Sequence, residues 1–329
     1  MYEINEITNK ILQGDCLNEL KKIPDKSVNM IMTSPPYWTL RDYGVEGQLG
    51  LEHTFNEYIN KLCDIFDEVK RVLRNDGTCW VNLGDTYNNS GWAGNKEGKY
   101  NNQPINKGNK THGRGRQKEY PDKCLCMIPF RFAIEMINRG WILRNTIIWH
   151  KKNCMPSSCK DRFTVDFEYL FFFSKKKDYY FETQYEPCLT QEKRPGGFIR
   201  NRFYNYDSKF NNNPEAYNSP RARTQRKDYN AEEYFYSPQG RNKRTVWTIN
   251  TKSFSEAHFA VYPEELCETP IKSGCPEEGI ILDPFFGSGT TGLVALKQNK
   301  KFIGIELNKS YIEIAKKRLR PWIEQTKLF

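Results

Sequence analysis

The sequence predicts an α/β fold built on a doubly wound, mostly parallel sheet. Two observations carry that reading. Short β-rich apolar runs alternate with stretches whose apolar residues recur at helical spacing, the rhythm of βαβ units. Near the C-terminus, "GIILDPFFGSGTTGLVALKQNKKFIGIEL" is a complete strand, glycine turn, helix and strand. At 329 residues the chain has room for one large domain, or a core domain with a smaller one, and for a sizeable core.

The elements follow in order. "KILQGDC" is a short strand ending at Gly14-Asp15, and "LNELKKIP" is an amphipathic turn or short helix closed by Pro24. "SVNMIMTSPPY" is the next strand. In "FNEYINKLCDIFDEVKRVLRNDG", Tyr58, Leu62, Ile65, Phe66, Val69 and Leu73 fall at helical spacing, with Gly77 as the stop. "TCWVNLGD" reads as a strand, "MIPFRFAIEMINRGW" as a helix, "ILRNTIIWHK" as a strand and "FEYLFFFSK" as an apolar β-rich run. "GIILD" ends at Asp283-Pro284, the glycine turn opens the helix "TGLVALKQN", and "KFIGIEL" brings Glu306 to its end before a final amphipathic helix.

Two stretches interrupt this rhythm. Residues 86–123 are polar, basic and rich in Gly and Asn, and read as a mobile or disordered loop from which no core can form. Residues 191–244 carry twelve Lys/Arg against six Asp/Glu, interleaved with ten Phe/Tyr. Basic groups suit phosphates, and aromatics with Arg or Asn suit bases. That insertion is either a nucleic-acid contact or a solvated surface. The formal charge of +10 likewise points to a polyanionic partner or to solubility alone.

The ten cysteines do not form a metal pattern. Cys124/Cys126 and Cys154/Cys159 lack a second pair at zinc-site spacing, and no histidine completes one, so reduced cytosolic thiols and no metal are expected. The N-terminal stretch has no apolar signal segment, and no run approaches the ~20 apolar residues of a membrane span. A cytoplasmic location without membrane contact is therefore expected.

Chemistry concentrates at two corners. In "MTSPPYW", a buried strand runs into Ser34, then Pro35 and Pro36, which end any regular element and fix the backbone, then Tyr37 and Trp38. In the glycine turn, Gly287 and Gly289 permit a tight turn and close backbone approach to a ligand. Glu306, ending the next strand, can accept hydrogen bonds from ribose hydroxyls. No lysine follows the glycines, which excludes a phosphate-cradling P-loop, and with Gly292 the dinucleotide pattern is met only in part.

Together these stretches resemble the exocyclic-amino DNA methyltransferases. "TSPPYW" is similar to their catalytic motif, (Asp/Asn/Ser)-Pro-Pro-(Tyr/Phe/Trp), and "DPFFGSGTTG" to their S-adenosylmethionine motif. The catalytic motif comes first, the permuted order of the β class. "GDCL" resembles the motif before the catalytic strand, "HFAVYPEEL" the segment before the cofactor turn, and "GIELNKSYIEIAKKRL" the ribose-binding strand and helix. The resemblance spans nearly the whole chain and implies a circularly permuted, Rossmann-like class I methyltransferase with an inserted target-recognition region. Residues 1–190 would be the catalytic half, 191–245 the recognition region and 246–329 the cofactor half.

Roles follow from the resemblance. Ser34 Oγ and the Pro35 carbonyl would accept the protons of an exocyclic amino group, with Pro36 fixing the corner. Tyr37 would stack on the base once it leaves the duplex, and Trp38 would extend that wall or line the cofactor. Asp15 would accept from the adenine amino group, with Cys16 or Leu17 against the ring. Asp283, Gly287, Ser288, Gly289 and Thr290 would surround the methionine end, with Phe285 near the adenosine and Glu306 on the ribose. His258 would belong to the cofactor site or to the structure. Arg200, Arg202, Arg221 and Arg223 would meet double-stranded DNA. Ser-Pro-Pro-Tyr resembles the cytosine-N4 type, in a restriction-modification setting with a cognate endonuclease as partner. Adenine-N6 transfer, an RNA substrate and a non-catalytic binding module on the same fold are the other readings.

Overall fold

The computed structural model describes residues 1–40, 43–88, 117, 119–187, 240–252 and 262–325. Its elements are α1 (Ile4–Ile7), β1 (Lys10–Gln13), α2 (Cys16–Leu20), β2 (Val28–Thr33), α3 (Phe55–Val72), β3 (Leu73–Leu83), α4 (Ile128–Asn138), β4 (Ile142–His150) and β5 (Phe167–Ser174). Then come β6 (Tyr185–Glu186), β7 (Arg241–Asn242), β8 (Val246–Thr248), α5 (Glu264–Gly274), β9 (Ile280–Asp283), α6 (Thr290–Lys297), β10 (Lys301–Glu306) and α7 (Lys309–Gln325).

The chain forms two compact units, one from residues 1–182 with 245–329 and one from 183–244. In the second, β6 and β7 pair antiparallel. In the first, eight strands form one sheet in the order β1-β10-β9-β2-β3-β5-β4-β8. Every pairing is parallel except the two made by β5, which lies reversed between β3 and β4. The late strands β9 and β10 therefore sit between the early strands β1 and β2, and the carboxyl ends of β2 and β9 come to lie side by side.

Alternation along the strands explains why these runs are apolar throughout. Cys79 and Val81 of β3 and Phe171 and Phe173 of β5 join one core with Tyr58, Phe66 and Phe132 of α3 and α4. Trp80 and Phe172, stacked at 4.1 Å, join a second core with Leu266, Val294 and Leu319 of α5, α6 and α7. Helices cover both faces, so strand residues of either parity are buried.

Two expectations need correction. Helix α3 ends at Val72 and passes straight into β3, so Gly77 is a strand residue and not the helix stop. A Cβ there would lie 2.9 Å from the Asn29 carbonyl oxygen, and this close approach is what glycine permits. Most of 86–123 lies outside the described residues, and the loop reading is corrected only at its described ends, which are built into the fold. The Asn88 side chain is fully buried and donates to the Gln117, Tyr120 and Pro121 carbonyls, while Tyr120 meets Phe55 edge-on at 5.0 Å. A single amide can tie two distant ends of a polar stretch because it offers donors that satisfy turn carbonyls.

Candidate active site

Beyond the carboxyl ends of β1, β2, β9 and β10 lies a cavity of about 640 Å³. An open α/β sheet leaves such a crevice where neighbouring connections diverge. Ser34, Pro35, Pro36 and Tyr37 line it from the end of β2. Asp15, Cys16 and Leu17 line it after β1, and Phe285, Gly287, Ser288 and Thr290 after β9. Glu306 closes it from the end of β10.

At the β2 corner the polar groups form a directed chain. Ser34 Oγ donates to the Tyr37 hydroxyl at 3.4 Å, and that hydroxyl has two acceptors for its one proton, Glu168 Oε2 at 2.7 Å and Asn82 Oδ1 at 3.1 Å, of which the carboxylate is the nearer and the charged one. Asn82 Nδ2 donates to the same carboxylate oxygen at 3.1 Å and to the Tyr169 carbonyl at 3.0 Å. The Lys151 ammonium pairs with Glu168 Oε1. The Tyr37 ring packs closely against Gly84, where a Cβ would come within 2.7 Å of Cε2. Burial, reinforced by the neighbouring Glu168 charge, pushes the Tyr37 phenol well above its ordinary range, so it stays protonated. Tyr58 holds the corner from α3 by donating to the Pro36 carbonyl at 2.9 Å.

Trp38 does not line the cavity. It is 1% exposed, packs edge-on against Phe55 and donates Nε1–H to the Glu52 carbonyl at 3.0 Å. Apolar neighbours and a satisfied indole N–H make it a core residue, correcting the expectation of a base or cofactor wall.

The glycine turn is organised differently. Gly289, with φ +80°, enters α6, and its Cβ would lie 3.0 Å from that of Ala315, so this glycine serves packing and does not line the cavity. Asp283, expected around the methionine end, is also behind the wall. It is 1% exposed and accepts from Thr33 Oγ1 at 2.5 Å, Thr291 Oγ1 at 2.7 Å, the Phe285 amide at 3.0 Å and the Tyr262 hydroxyl at 3.2 Å. Burial pushes its carboxyl up while these donors pull it back. Arg318 braces the turn, donating to the Ser288 carbonyl at 2.8 Å and to Thr290 Oγ1 at 3.1 Å.

Glu306 keeps capacity for a ligand. Its Oε2 accepts from the Gly287 amide and its Oε1 from the Asn308 amide, each at 2.7 Å, which leaves acceptor capacity on a carboxylate that lines the cavity. Burial pushes this carboxyl above its ordinary range. Asp15 caps α2 by accepting from the Asn18 amide at 3.0 Å. Burial and Asp15 raise the Cys16 thiol to about 12, so it stands as a neutral wall.

His258, Arg200, Arg202, Arg221 and Arg223 lie outside the described residues. Conversely, the cavity gathers residues the sequence reading did not single out, chiefly Glu168, Lys151, Asn82 and Tyr262. The signal for Glu168 was present: it is the lone carboxylate in "FEYLFFFSK", a run otherwise suited to burial on both faces.

Residues 28–317 match the N6/N4 family described as DNA methylase. The chain is 37% identical over 322 residues to the type II methyltransferase M.Cfr9I of Citrobacter freundii, covering 97% of this chain and 89% of that one. It is 36% identical over 325 residues to the type II methyltransferase M.SmaI of Serratia marcescens, covering 96% and 92%. The fold is similar to that of the PvuII DNA methyltransferase (cytosine-N4-specific), with a TM-score of 0.60 at 18% identity over 94% of this chain and 86% of that one. It is also similar to the Thermus thermophilus protein TTHA0409 complexed with S-adenosyl-L-methionine, with a TM-score of 0.54 at 22% identity over 95% of both. At these identities the structural likeness speaks to the fold alone.

Proposed function

We propose, given that the chain belongs to the N6/N4 DNA methylase family, that it transfers a methyl group from S-adenosylmethionine to the N4 amino group of a cytosine flipped out of double-stranded DNA. The observation that carries this reading is the joint presence of the Ser34–Tyr37 corner and the Glu306-anchored glycine turn on one cavity. S-adenosylmethionine supplies an already activated sulfonium methyl. The residues fit it. Glu306, buried and anchored by two backbone amides, suits a vicinal ribose diol, while Cys16, Leu17 and Phe285 offer apolar walls for an adenine ring and Asp15 an acceptor for its amino group. Gly287, Ser288 and Thr290 serve the methionine end in this reading, and His258 is assigned to the same cofactor.

Ser34 Oγ and the Pro35 carbonyl accept the amino protons, which frees the nitrogen lone pair to aim at the methyl. The Tyr37 ring, backed by Gly84, is the platform for the extruded base. Catalysis is then mainly alignment and charge placement. The insertion at 191–245, with Arg200, Arg202, Arg221 and Arg223, contacts the DNA, and restriction-modification is the setting. The serine at the head of the Pro-Pro-Tyr motif favours cytosine over adenine.

The test is nucleoside mass spectrometry of DNA from cells expressing the chain, beside a Ser34→Ala control. N4-methylcytosine absent from the control is expected. N6-methyladenine would keep the chemistry and reverse the choice of base.

A further inference from the structure

We propose that Glu168 is the terminal acceptor of the proton shed by the target amino group, reached through Ser34 and Tyr37. The proposal rests on the methyl-transfer reading above and supplies what that reading leaves open, the fate of the proton.

The direction of the hydrogen bonds carries the argument. Ser34 Oγ gives its proton to Tyr37, so its lone pairs are what it offers the cavity. Tyr37 in turn addresses Glu168 Oε2 at 2.7 Å and the Asn82 amide oxygen at 3.1 Å, and of these only the carboxylate can keep a proton at neutral pH. Each link already points the way a proton must travel, from the cavity to the carboxylate. The far end is built to hold charge. The Glu168 and Lys151 side chains are only 19% and 16% exposed and pair with each other, while Asn82 donates to the oxygen that Tyr37 also addresses. Burying such a pair at the start of the apolar strand β5 costs desolvation, and a hydrophobic pair would serve the sheet at least as well. The phenol, held protonated by burial, is a carrier that needs no ionised resting state.

The step balances. The amino nitrogen forms its bond to the methyl carbon as the carbon–sulfur bond breaks, the electron pair returning to sulfur. The nitrogen, now positive, passes a proton to Ser34 Oγ. The serine proton moves to the Tyr37 hydroxyl, and the phenol proton moves to Glu168 Oε2. Serine and tyrosine are regenerated, and Glu168 carries one proton until solvent removes it.

Tyr37→Phe keeps the ring, and hence any stacking, but cuts the relay; Glu168→Gln keeps the shape but removes the base. Each is expected to slow single-turnover methyl transfer about 100-fold, with the Kd values for DNA and S-adenosylmethionine held within about twofold. The double variant is expected to be no slower than the slower single one, because both act on one path. Binding unchanged beside a slower chemical step separates this role from a structural one. A second readout needs no turnover: in NMR of isotope-labelled tyrosine in the unliganded protein, the Tyr37 signal, identified by its loss in Tyr37→Phe, should ionise at lower pH in Glu168→Gln. Tyr37→Phe at wild-type rate, additive losses in the double variant, or an unmoved Tyr37 ionisation would each overturn the relay. A wild-type protein that transfers no methyl group to any DNA would instead overturn the reading beneath it.

Discussion

The glycine turn and the Pro-Pro corner stand at the ends of two adjacent strands and use their polar side chains in opposite ways. In the turn, Asp283 takes four hydrogen bonds from its own protein and does not line the cavity, and even Glu306 is anchored by two amides. In the corner, Ser34, Tyr37 and Glu168 are linked to one another in series along the cavity wall. The first region is a frame, stiff and largely satisfied. The second is a circuit whose open end is its purpose. A residue's prominence in a motif therefore does not say whether it touches the ligand.

That contrast can be broken by substitution. Ser34→Ala opens the circuit at its cavity end, and single-turnover transfer should fall about 100- to 1000-fold, as when one positioned polar group is removed from a reaction centre. Equilibrium dialysis should find cofactor affinity unchanged. Asp283→Ala strikes the frame, leaving the Thr33 hydroxyl and the Phe285 amide without their acceptor and costing Thr291 and Tyr262 one of their partners; urea unfolding should report a loss of about 3 kcal/mol. If stability held and only cofactor binding fell, Asp283 would be a contact after all.

Glu306→Gln sharpens the distinction, because Glu306 belongs to the frame yet still faces the cavity. Cofactor affinity should fall about tenfold, the worth of a charge-assisted hydrogen bond. Its acidity supplies the sign. The carboxyl is raised above the ordinary glutamate value, and bound hydroxyl donors favour the carboxylate, so affinity should decline on acidification, starting at higher pH than for an unperturbed glutamate. Glu306→Gln should flatten that dependence in calorimetric titrations. The smallest effect belongs to Trp38→Phe, about 1–2 kcal/mol of stability from the lost indole hydrogen bond and volume, with turnover unchanged.

The frame was the more legible region. Glycines, Asp-Pro and a strand-end glutamate follow one another closely in sequence, and local backbone geometry explains most of what they do. Even so, the partners that take Asp283 out of the cavity, Thr33 and Tyr262, are 250 and 21 residues away, beyond local patterning. Trp38 shows that proximity to a motif does not imply exposure, since the chain turns its ring into the core beside Phe55. The circuit was half legible. Ser34 and Tyr37 announce themselves, but Glu168 lies 131 residues from Tyr37 and meets it only because reversed strand β5 pairs with β3. The antiparallel placement of β5 has no marker in its composition, since both orientations bury the same apolar faces.

The placement of β9 and β10 between β1 and β2 also bears on how the enzyme comes into being. A chain emerging from the ribosome builds β1 and β2 early, yet these strands cannot close on each other, because the two that belong between them are made last. Until residues 280–306 arrive, β2 has an unpaired edge and β1 has no neighbour, an arrangement that invites proteases and chaperones. The glycine turn and sheet closure are supplied by the same late segment, so a product interrupted before it has neither a finished sheet nor the turn and Glu306 that line the cavity. Synthesis thus carries its own quality check: the Pro-Pro corner, though translated early, has no complete cavity to line until residues 280–306 have been made.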